Sequence, residues 1–452
     1  MALFTMEEVR SRIEKGEILI VYDCRVYRLN NWIKQHPGGR LAVEHMLGKD
    51  ATDVIRAMHP EWVLSTKMAH FYVGNLIEDP LTANSELKIQ KQISEAYKRL
   101  DIKIRSHGLY ETNYWCYSWE AARCIVAFII MVGLIVWGPQ TTWSYVTAAF
   151  ANAFFWHQSI FCAHDACHNE ITHNSTYDSI IGIFLHNFTG GLSIGWWKKN
   201  HNIHHIITKN PEHDPDIQKL PFLAVTSKFF HNLFSSYHNK VMRFDRVAKI
   251  FVPIQHYLFY FVLCIARLDF YAQGVVYLLT DDHVPLRKLE FLGMAFFLSW
   301  YSYLVSFISS WGMALMFIVL SHALTMVTFT QITLSHFGMS TDDGGPDESF
   351  AGWQLRTTMD IDCPPWMDWF HGGLQFQAIH HLFPRLPRHN FRAVQPFVKE
   401  FCDQVGLKYH IHGFVKSNGI VLKVLRDVAN QLSFIMEVAS HEAHEKRKLT
   451  IT

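Results

Sequence analysis

Residues 143–168 read WSYVTAAFANAFFWHQSIFCAHDACH, an apolar run that ends in a pair of histidines. The part from Trp143 to Phe161 has the length of roughly 17–25 residues that a helix needs to cross a bilayer. His164 and His168 follow at once, and their spacing places both imidazoles on one face of a helix. The stretch therefore predicts a membrane helix that presents two metal ligands at one membrane surface.

Four further apolar runs cover residues 121–137, 250–268, 289–307 and 311–334. The histidine-rich stretches near 164–168, 201–205 and 380–381 can share a metal site only if they lie at one membrane face. An even number of crossings must then separate the last two. The run 250–268 is interrupted by proline, glutamine, histidine and arginine, so we assign it to the interface. The sequence predicts four crossings in two hairpins.

The distribution of charge predicts the orientation in the membrane. The turns inside the two hairpins, 138–142 and 308–310, carry no charge, whereas lysine and arginine lie in the connections at the other face. This pattern places both termini and the histidines in the cytosol, and we expect the membrane to be that of the endoplasmic reticulum. The N-terminus does not resemble a secretory signal, and the 8 dispersed cysteines fit a reducing compartment. The sequons at Asn174 and Asn187 should stay unmodified.

Composition indicates a membrane protein that binds metal. Of 452 residues, 49% are hydrophobic and 18% are charged, whereas soluble domains usually carry about 25% charged residues. The net charge of +1 gives no global field that would attract nucleic acid. Histidine is the anomaly, because its 28 residues cluster along the chain.

Two more histidine clusters follow the first, His201-Asn202-Ile203-His204-His205 and Gln377-Ala378-Ile379-His380-His381. Both use the i, i+3, i+4 spacing of one helical face, with an amide at the first position of the second cluster. A single cluster of this kind is more often a solvated surface feature, but three at one membrane face favour a shared metal site. Asp165, Asn202, Asp214 and Asp216 are candidates to orient the imidazoles.

Iron suits this ligand set better than zinc. Zinc usually takes about four ligands, which is fewer than the histidines available. Iron, unlike zinc, can change its oxidation state and can therefore reduce O2 to form a strong oxidant. Neutral imidazoles supply many ligands without adding negative charge.

The N-terminal part carries a different pair of histidines. His36 opens the sequence His-Pro-Gly-Gly, and His59 stands before Pro60. The two imidazoles could clamp a planar iron macrocycle from both faces, which gives an electron carrier that does not bind O2. The alternative is a simple turn at His36 and a helix cap at His59.

The surroundings of this pair resemble cytochrome b5 over residues 1 to about 77. The resemblance rests on the order and spacing of Val26-Tyr27-Arg28-Leu29, His36-Pro37-Gly38-Gly39, Gly48 to Asp53, His59-Pro60 and Phe71-Tyr72-Val73-Gly74. It implies a small α+β domain that holds haem b between His36 and His59.

The histidine clusters and the fused haem domain together resemble the front-end membrane desaturases of acyl lipids and sphingolipids. The family pattern maps onto His164, His168, His201, His204, His205, Gln377, His380 and His381 as the catalytic set. Glutamine at 377 is the front-end signature, and the resemblance implies one further ligand, His336. It also implies two non-haem iron ions, O2 as co-substrate, a membrane lipid substrate, and electrons from NAD(P)H through a cytochrome b5 reductase. A homodimer is left open.

Ala378-Ile379 departs from the Ile-Glu common in polyunsaturated acyl front-end enzymes, and the stretches around the boxes look most like sphingolipid Δ8-desaturases. We therefore expect Δ8 desaturation of the long-chain base of ceramide. A Δ6 or Δ5 acyl-lipid desaturase and a histidine-box hydroxylase are the enzyme alternatives. A membrane-anchored haem electron carrier is the alternative without catalysis.

The predicted architecture is mainly α-helical. A cytochrome b5-like domain (1–77) precedes a linker with a pre-membrane helix (78–118). A desaturase domain (119–415), with four membrane helices and a cytosolic helical cap, precedes a cytosolic helical tail (416–452).

Overall fold

The computed structural model describes residues 2–77, 85–345 and 347–451. Its first part is a small mixed domain with one four-stranded sheet, in the order β1-β4-β3-β2. β1 pairs parallel to β4, and the other pairs are antiparallel. The elements are β1 (Ala2–Phe4), α1 (Met6–Glu14), β2 (Leu19–Tyr22), β3 (Arg25–Arg28), α2 (Arg40–Glu44), α3 (Thr52–Met58) and β4 (Tyr72–Leu76). The predicted small α+β domain is confirmed.

The remainder is mainly helical, as predicted. Its helices are α4 (Ser85–Ser106), α5 (Tyr114–Val136), α6 (Thr142–Cys167), α7 (Ser175–Ile183), α8 (Ile194–Ile206), α9 (Arg246–Phe251), α10 (Gln255–Thr280), α11 (Arg287–Val305), α12 (Trp311–Ala323), α13 (Met326–Leu334), α14 (Phe350–Thr357), α15 (Asp368–His371), α16 (Gln377–Leu382), α17 (Phe391–Val405) and α18 (Phe414–Ile451). Two short strand pairs complete this part: β5 (Leu233–Ser235) and β6 (Lys240–Met242) form an antiparallel hairpin, and β7 (Asp360–Asp362) pairs in parallel with β8 (Ile411–Gly413).

Three stretches within the described ranges are long and apolar enough to cross a membrane: Tyr114–Val136, Arg246–Thr280 and Trp311–Leu334. The predicted spans 143–161 and 289–307 lie in α6 and α11, which are less apolar than α5. The four-crossing count therefore stays a prediction. The last span is interrupted between α12 and α13, where the Thr325 hydroxyl donates to the carbonyl of His322 at 2.6 Å.

Exposed tryptophans mark the outer end of this helical bundle. Trp137, Trp143 and Trp311 are 80%, 78% and 92% exposed, and they flank the two uncharged turns. Trp115 and Trp119 are exposed at the opposite end of α5. At 1.5 Å per residue, Trp115 and Trp137 stand roughly 33 Å apart along the helix, close to the bilayer core of about 30 Å. Such paired aromatic belts are typical of membrane helices.

Two of the polar residues that interrupt the run 250–268, Gln255 and Arg267, have partners inside the protein. Gln255 donates to the carbonyls of Ala224 and Leu425. The Arg267 guanidinium donates to the carbonyl of Gly190 and lies 3.9 Å from the centre of the Trp156 ring. Their polarity thus gives no argument against burial in a membrane. The interfacial placement stays a prediction. It is supported by the C-terminal end of α10, where Asp281 pairs with Lys199 of α8, the helix that carries the second histidine cluster.

The haem-type domain packs directly on the helical body. Ala42 of α2 joins Ile203 and Ile207 in one buried apolar cluster. Asp53 of α3 accepts a hydrogen bond of 2.6 Å from Ser94 of α4. α8 therefore has the small domain on one side, which brings that domain next to the second histidine cluster.

The predicted linker and C-terminal tail adjoin the desaturase domain at its two ends. Residues 78–84, at the start of the predicted linker, lie outside the described residues. The first half of α18 packs on α10 and α13, where Leu425 shares a cluster with Phe259 and Phe329. The boundary at 415/416 stays a prediction.

Candidate active site

His36 and His59 face each other across a cleft in the N-terminal domain, with ring centres 5.9 Å apart. The Nδ1 of His36 donates to the carbonyl of Gly39 at 2.9 Å, and the Nδ1 of His59 donates to the carbonyl of Ile55 at 3.1 Å. These bonds leave both Nε2 atoms free to bind iron. Burial lowers the pKa of His36, and it lowers that of His59 to about 4, so both rings are neutral, as ligands must be.

Position 38 requires a glycine because the residue lies directly against the His36 ring. A Cβ at this position would lie 2.9 Å from the Cε1 atom of His36, so any side chain would displace the imidazole. The cleft is lined by an apolar cluster that includes Ile33, Val43 and Leu64. The free nitrogens, the neutral rings and the apolar walls all fit a haem.

The predicted box histidines converge on one buried region beyond the end of α6. The first group comes from α6, the residue after it, α8 and α16, and consists of His164, His168, His201 and His380. The candidate ligand atoms of these four residues all lie within 4.8 Å of one another. The second group, with the same limit, contains His204, His336 and His381. The structure thus places His336, which the family pattern suggested, beside two box histidines.

His205 lies between the two groups. Its ring centre is 4.6 Å from that of His380 and 4.2 Å from that of His381. Its Nε2 is 3.0 Å from the Nε2 of His201. Gln377 is buried, and its side chain lies against His336. The eight residues of the predicted catalytic set and His336 therefore occupy one continuous site, in which His205 and Gln377 belong to neither ligand group.

Buried ring nitrogens without partners indicate that this site fits metal ions. Among the described residues, no hydrogen-bond partner exists for nitrogens of His164, His168, His205, His336, His380 and His381. Buried polar atoms are rarely left in this state. Burial, reinforced by the neighbouring imidazoles, holds the pKa values of His201, His205 and His380 well below their usual range. Neutral imidazoles with free nitrogens, in two adjacent groups, suit two iron ions.

Carboxylate and amide groups fix the orientation of the second group. Both oxygens of Asp214 lie 3.0 Å from the Nδ1 of His204. Burial lowers the pKa of His204, but the carboxylates of Asp214 and Asp216 outweigh it and raise that pKa. The amide oxygen of Gln354 accepts from the Nδ1 of His381 at 2.9 Å. Such outer contacts set the tautomer and leave Nε2 toward the metal.

The other proposed orienting residues differ in role. Asp165 lies 3.6 Å from His164, and its carboxylate is mainly engaged by Arg388 at 2.6 Å and by Tyr117 at 2.7 Å. Asp216 accepts from Asn200. No hydrogen bond of the Asn202 side chain is found among the described residues. Trp197 stacks on His201 with ring centres 4.3 Å apart, so it forms a wall of the site.

Two carboxylates that the sequence did not reveal hold the box helices in place. Glu290 of α11 accepts hydrogen bonds from Ser193 at 2.6 Å and from the backbone of Gly195 at 3.2 Å, at the N-terminus of α8. Asp360 accepts from the backbone of Ala378 at 2.7 Å, in the first turn of α16. Both carboxylates are far along the chain from the helices they stabilise, so no spacing rule points to them.

These features define a class: a membrane protein in which a haem domain is docked beside a site of histidines suited to two metal ions. The sequence profile of the cytochrome b5-like haem/steroid binding domain matches residues 5–77. The profile of the fatty acid desaturase family matches residues 140–413. The chain belongs to the fatty acid desaturase family, and it is an oxidoreductase with haem and non-haem iron as cofactors.

Similar proteins cover nearly the whole chain. The Delta 8-(E)-sphingolipid desaturase of Komagataella phaffii is 38% identical over 97% of this chain and 95% of its own length. The protein of the same name from Emericella nidulans is 37% identical over 96% of both chains. The acyl-lipid (9-3)-desaturase of Borago officinalis is 36% identical over 94% of this chain and 93% of its own length.

Proposed function

We propose that the protein is a Δ8-sphingolipid desaturase that introduces a trans double bond into the long-chain base of ceramide. The geometry that carries the oxidative role is the convergence of two adjacent histidine groups beside a docked haem domain. The substrate and the bond geometry are supported by the Delta 8-(E)-sphingolipid desaturases that are similar over nearly full length.

The proposed ligands follow the two groups. His164, His168, His201 and His380 would hold one iron ion, and His204, His336 and His381 the other, with His205 between them. His36 and His59 would hold the haem. When bound, the iron pair supplies oxidation: a –CH2–CH2– unit, O2, two electrons and two protons give –CH=CH– and two waters. The chain contributes neutral ligands, carboxylates that orient them, and a tryptophan wall at Trp197.

The two electrons must reach the haem from outside the chain, and we propose a cytochrome b5 reductase that uses NAD(P)H as their source. The proposed membrane is that of the endoplasmic reticulum, with the termini and the iron site in the cytosol. This orientation is supported by the charge bias of the connections. It also fits Asn187, which is buried and bonded to Glu290 and therefore cannot accept a glycan. The domain limits 1–77, 78–118, 119–415 and 416–452 remain part of the proposal.

Expression in a yeast that makes only Δ8-saturated long-chain bases tests the proposal. We expect long-chain bases two mass units lighter, with ozonolysis placing the double bond at carbon 8. His381→Ala should abolish the product by removing an iron ligand, and His36→Ala should abolish it by stopping electron supply. His410→Ala, a histidine outside both groups, is the matched control and should leave the product unchanged.

Other products would identify the alternatives. A double bond in the acyl chain would support an acyl-lipid desaturase, as the likeness to the Borago officinalis enzyme allows. A product sixteen mass units heavier would indicate a hydroxylase. Iron analysis that finds haem iron alone would support an electron carrier. Any of these results would overturn the proposed reaction.

A further inference from the structure

An arginine with no hydrogen-bond or ion-pair partner among the described residues lies between the haem clamp and the iron site. Arg385 follows the third histidine cluster by four residues, in a turn closed by the hydrogen bond from Leu386 to the carbonyl of Phe383 at 3.0 Å. Its Nε is buried, and no hydrogen bond or ion pair of its guanidinium is found among the described residues. Its charge acts on both His59 and His168. The side chain as a whole is half-buried, and a guanidinium with a buried, unpaired Nε favours an anion that can accept its hydrogen bonds.

The guanidinium opens into a cavity between the two domains. This cavity has a volume of about 410 Å³, and its walls include Pro60 and Glu61 of the haem domain with Arg105 and Tyr110 of the helical body. Pro60 follows the haem ligand His59 directly and has no backbone N–H to offer an anion. Arg105 is already engaged, because it donates to Asp101 at 2.8 Å and stacks on Tyr110. Among the described residues that line this cavity, Arg385 is thus the cation without an anionic partner.

The acidic groups near Arg385 do not provide an acceptor for its guanidinium. Glu170 and Asp101 lie within electrostatic range of Arg385, and Glu61 and Glu111 line the same cavity. None of the four accepts a hydrogen bond from Arg385 in the described part of the chain. Haem b carries two propionate carboxylates at one edge, and its apolar edge fits the cluster around Ile33 and Val43. With its apolar edge against that cluster, a bound haem would have its propionates at the opening of the cleft.

We propose that Arg385, a residue of the desaturase domain, binds a haem propionate across the domain boundary. The carboxylate satisfies the guanidinium, for which a bidentate ion pair is the favoured geometry. The contact fixes the haem edge relative to the histidine groups, since Arg385 and His381 belong to the same short segment. The ion pair also adds an interaction between the two domains that forms only when haem is bound.

The midpoint potential of the haem in the full-length holo-protein tests this proposal without use of a lipid substrate. A cation at the propionate favours ferrous over ferric haem, so Arg385→Gln should lower the potential, and Arg385→Lys should restore part of the loss. Lys103→Gln removes a positive charge that pairs with Glu400 at the surface, and it should leave the potential unchanged. A potential of Arg385→Gln equal to that of the unaltered protein overturns the proposal.

Loading the apo-protein, made in cells that cannot synthesise haem, with haem dimethyl ester removes the carboxylates themselves. The difference in potential between Arg385→Gln and the unaltered protein should then be clearly smaller than with haem b. An equal fall with haem b and with the ester would show a general field effect and overturn the propionate contact. If Arg385→Gln retains no haem, the unaltered protein should bind the ester much more weakly than haem b. Equally tight binding of both would overturn the proposal.

Discussion

Asp214 fixes one imidazole and the loop around it. Its two oxygens accept from His204, from the backbone of Lys209 at 2.7 Å and from the backbone of Asp216 at 2.9 Å. This fully buried carboxylate thus has one side-chain donor and two backbone donors. It therefore holds His204 with Nε2 directed toward His336, 3.4 Å away, where a metal ion can bind both.

Replacement of this carboxylate should weaken iron binding without removing a ligand. We expect Asp214→Asn to lower metal affinity or turnover by about 10–100-fold, the usual effect of losing such an orienting partner. The measurement is non-haem iron per haem in the purified protein, together with product yield. Glu212→Gln, a neighbouring exposed carboxylate, is the control. Full iron content and activity in Asp214→Asn would contradict the orienting role.

At the level of elements, α8 is held by a carboxylate from a distant helix. Glu290 accepts from Ser193 and Gly195 at the N-terminus of α8, where the helix dipole also favours a negative charge. The contact links α11 to the helix that carries three box histidines. A change at Glu290 should therefore alter both stability and the alignment of those ligands.

The Glu290→Gln substitution keeps the shape of the side chain but removes its charge. We expect a loss of about 1.5–3 kcal/mol in the free energy of unfolding, typical of hydrogen bonds to a charged group. Thermal unfolding in detergent, followed by tryptophan fluorescence, measures it. Ser193→Ala removes only the capping hydroxyl and should cost about 1 kcal/mol. Equal stability of Glu290→Gln and the unaltered protein would contradict this account.

Sequence patterns predicted the parts of the fold and the site that depend on local spacing. The i, i+3, i+4 spacing gave the faces of α8 and α16, and the motifs around His36 indicated the haem domain. Glu290, Asp360 and Gln354 could not be predicted, because they act on helices far away in the chain. Sequence polarity also could not reveal the buried partners of Gln255 and Arg267, because these partners come together only in the folded protein.

At the scale of the whole molecule, the contact between the haem domain and the helical body contains a carboxyl group whose pKa is raised by burial. Asp53 lies where α3 meets α4, and burial raises its pKa to about 6 despite the hydrogen bond from Ser94. A folded-state pKa above the ordinary value means that the docked protein binds this proton more tightly than the unfolded chain. The stabilisation is present at low pH and is lost as the pH rises through about 6.

Asp53→Asn should remove this pH dependence. The variant should be more stable than the unaltered protein by roughly 1–2 kcal/mol at pH 7.5, and equally stable near pH 4, because a neutral amide avoids the cost of a buried charge. Thermal melts followed by haem absorbance at the two pH values measure the difference. Glu95→Gln, an exposed neighbour of Ser94, is the control. An identical pH profile for Asp53→Asn would contradict the assignment.

The position of α8 between two partners limits how this protein can evolve. One side of the helix carries His201, His204 and His205, and the other packs Ile203 against the haem domain. None of its 13 residues is exposed. Random substitutions should therefore be tolerated less in α8 than in any lipid-facing helix, and the lineage can adapt to new lipids mainly by altering walls elsewhere. If the product of a duplicated gene no longer used its own haem domain, selection at Ile203 should relax first, because this residue packs against that domain.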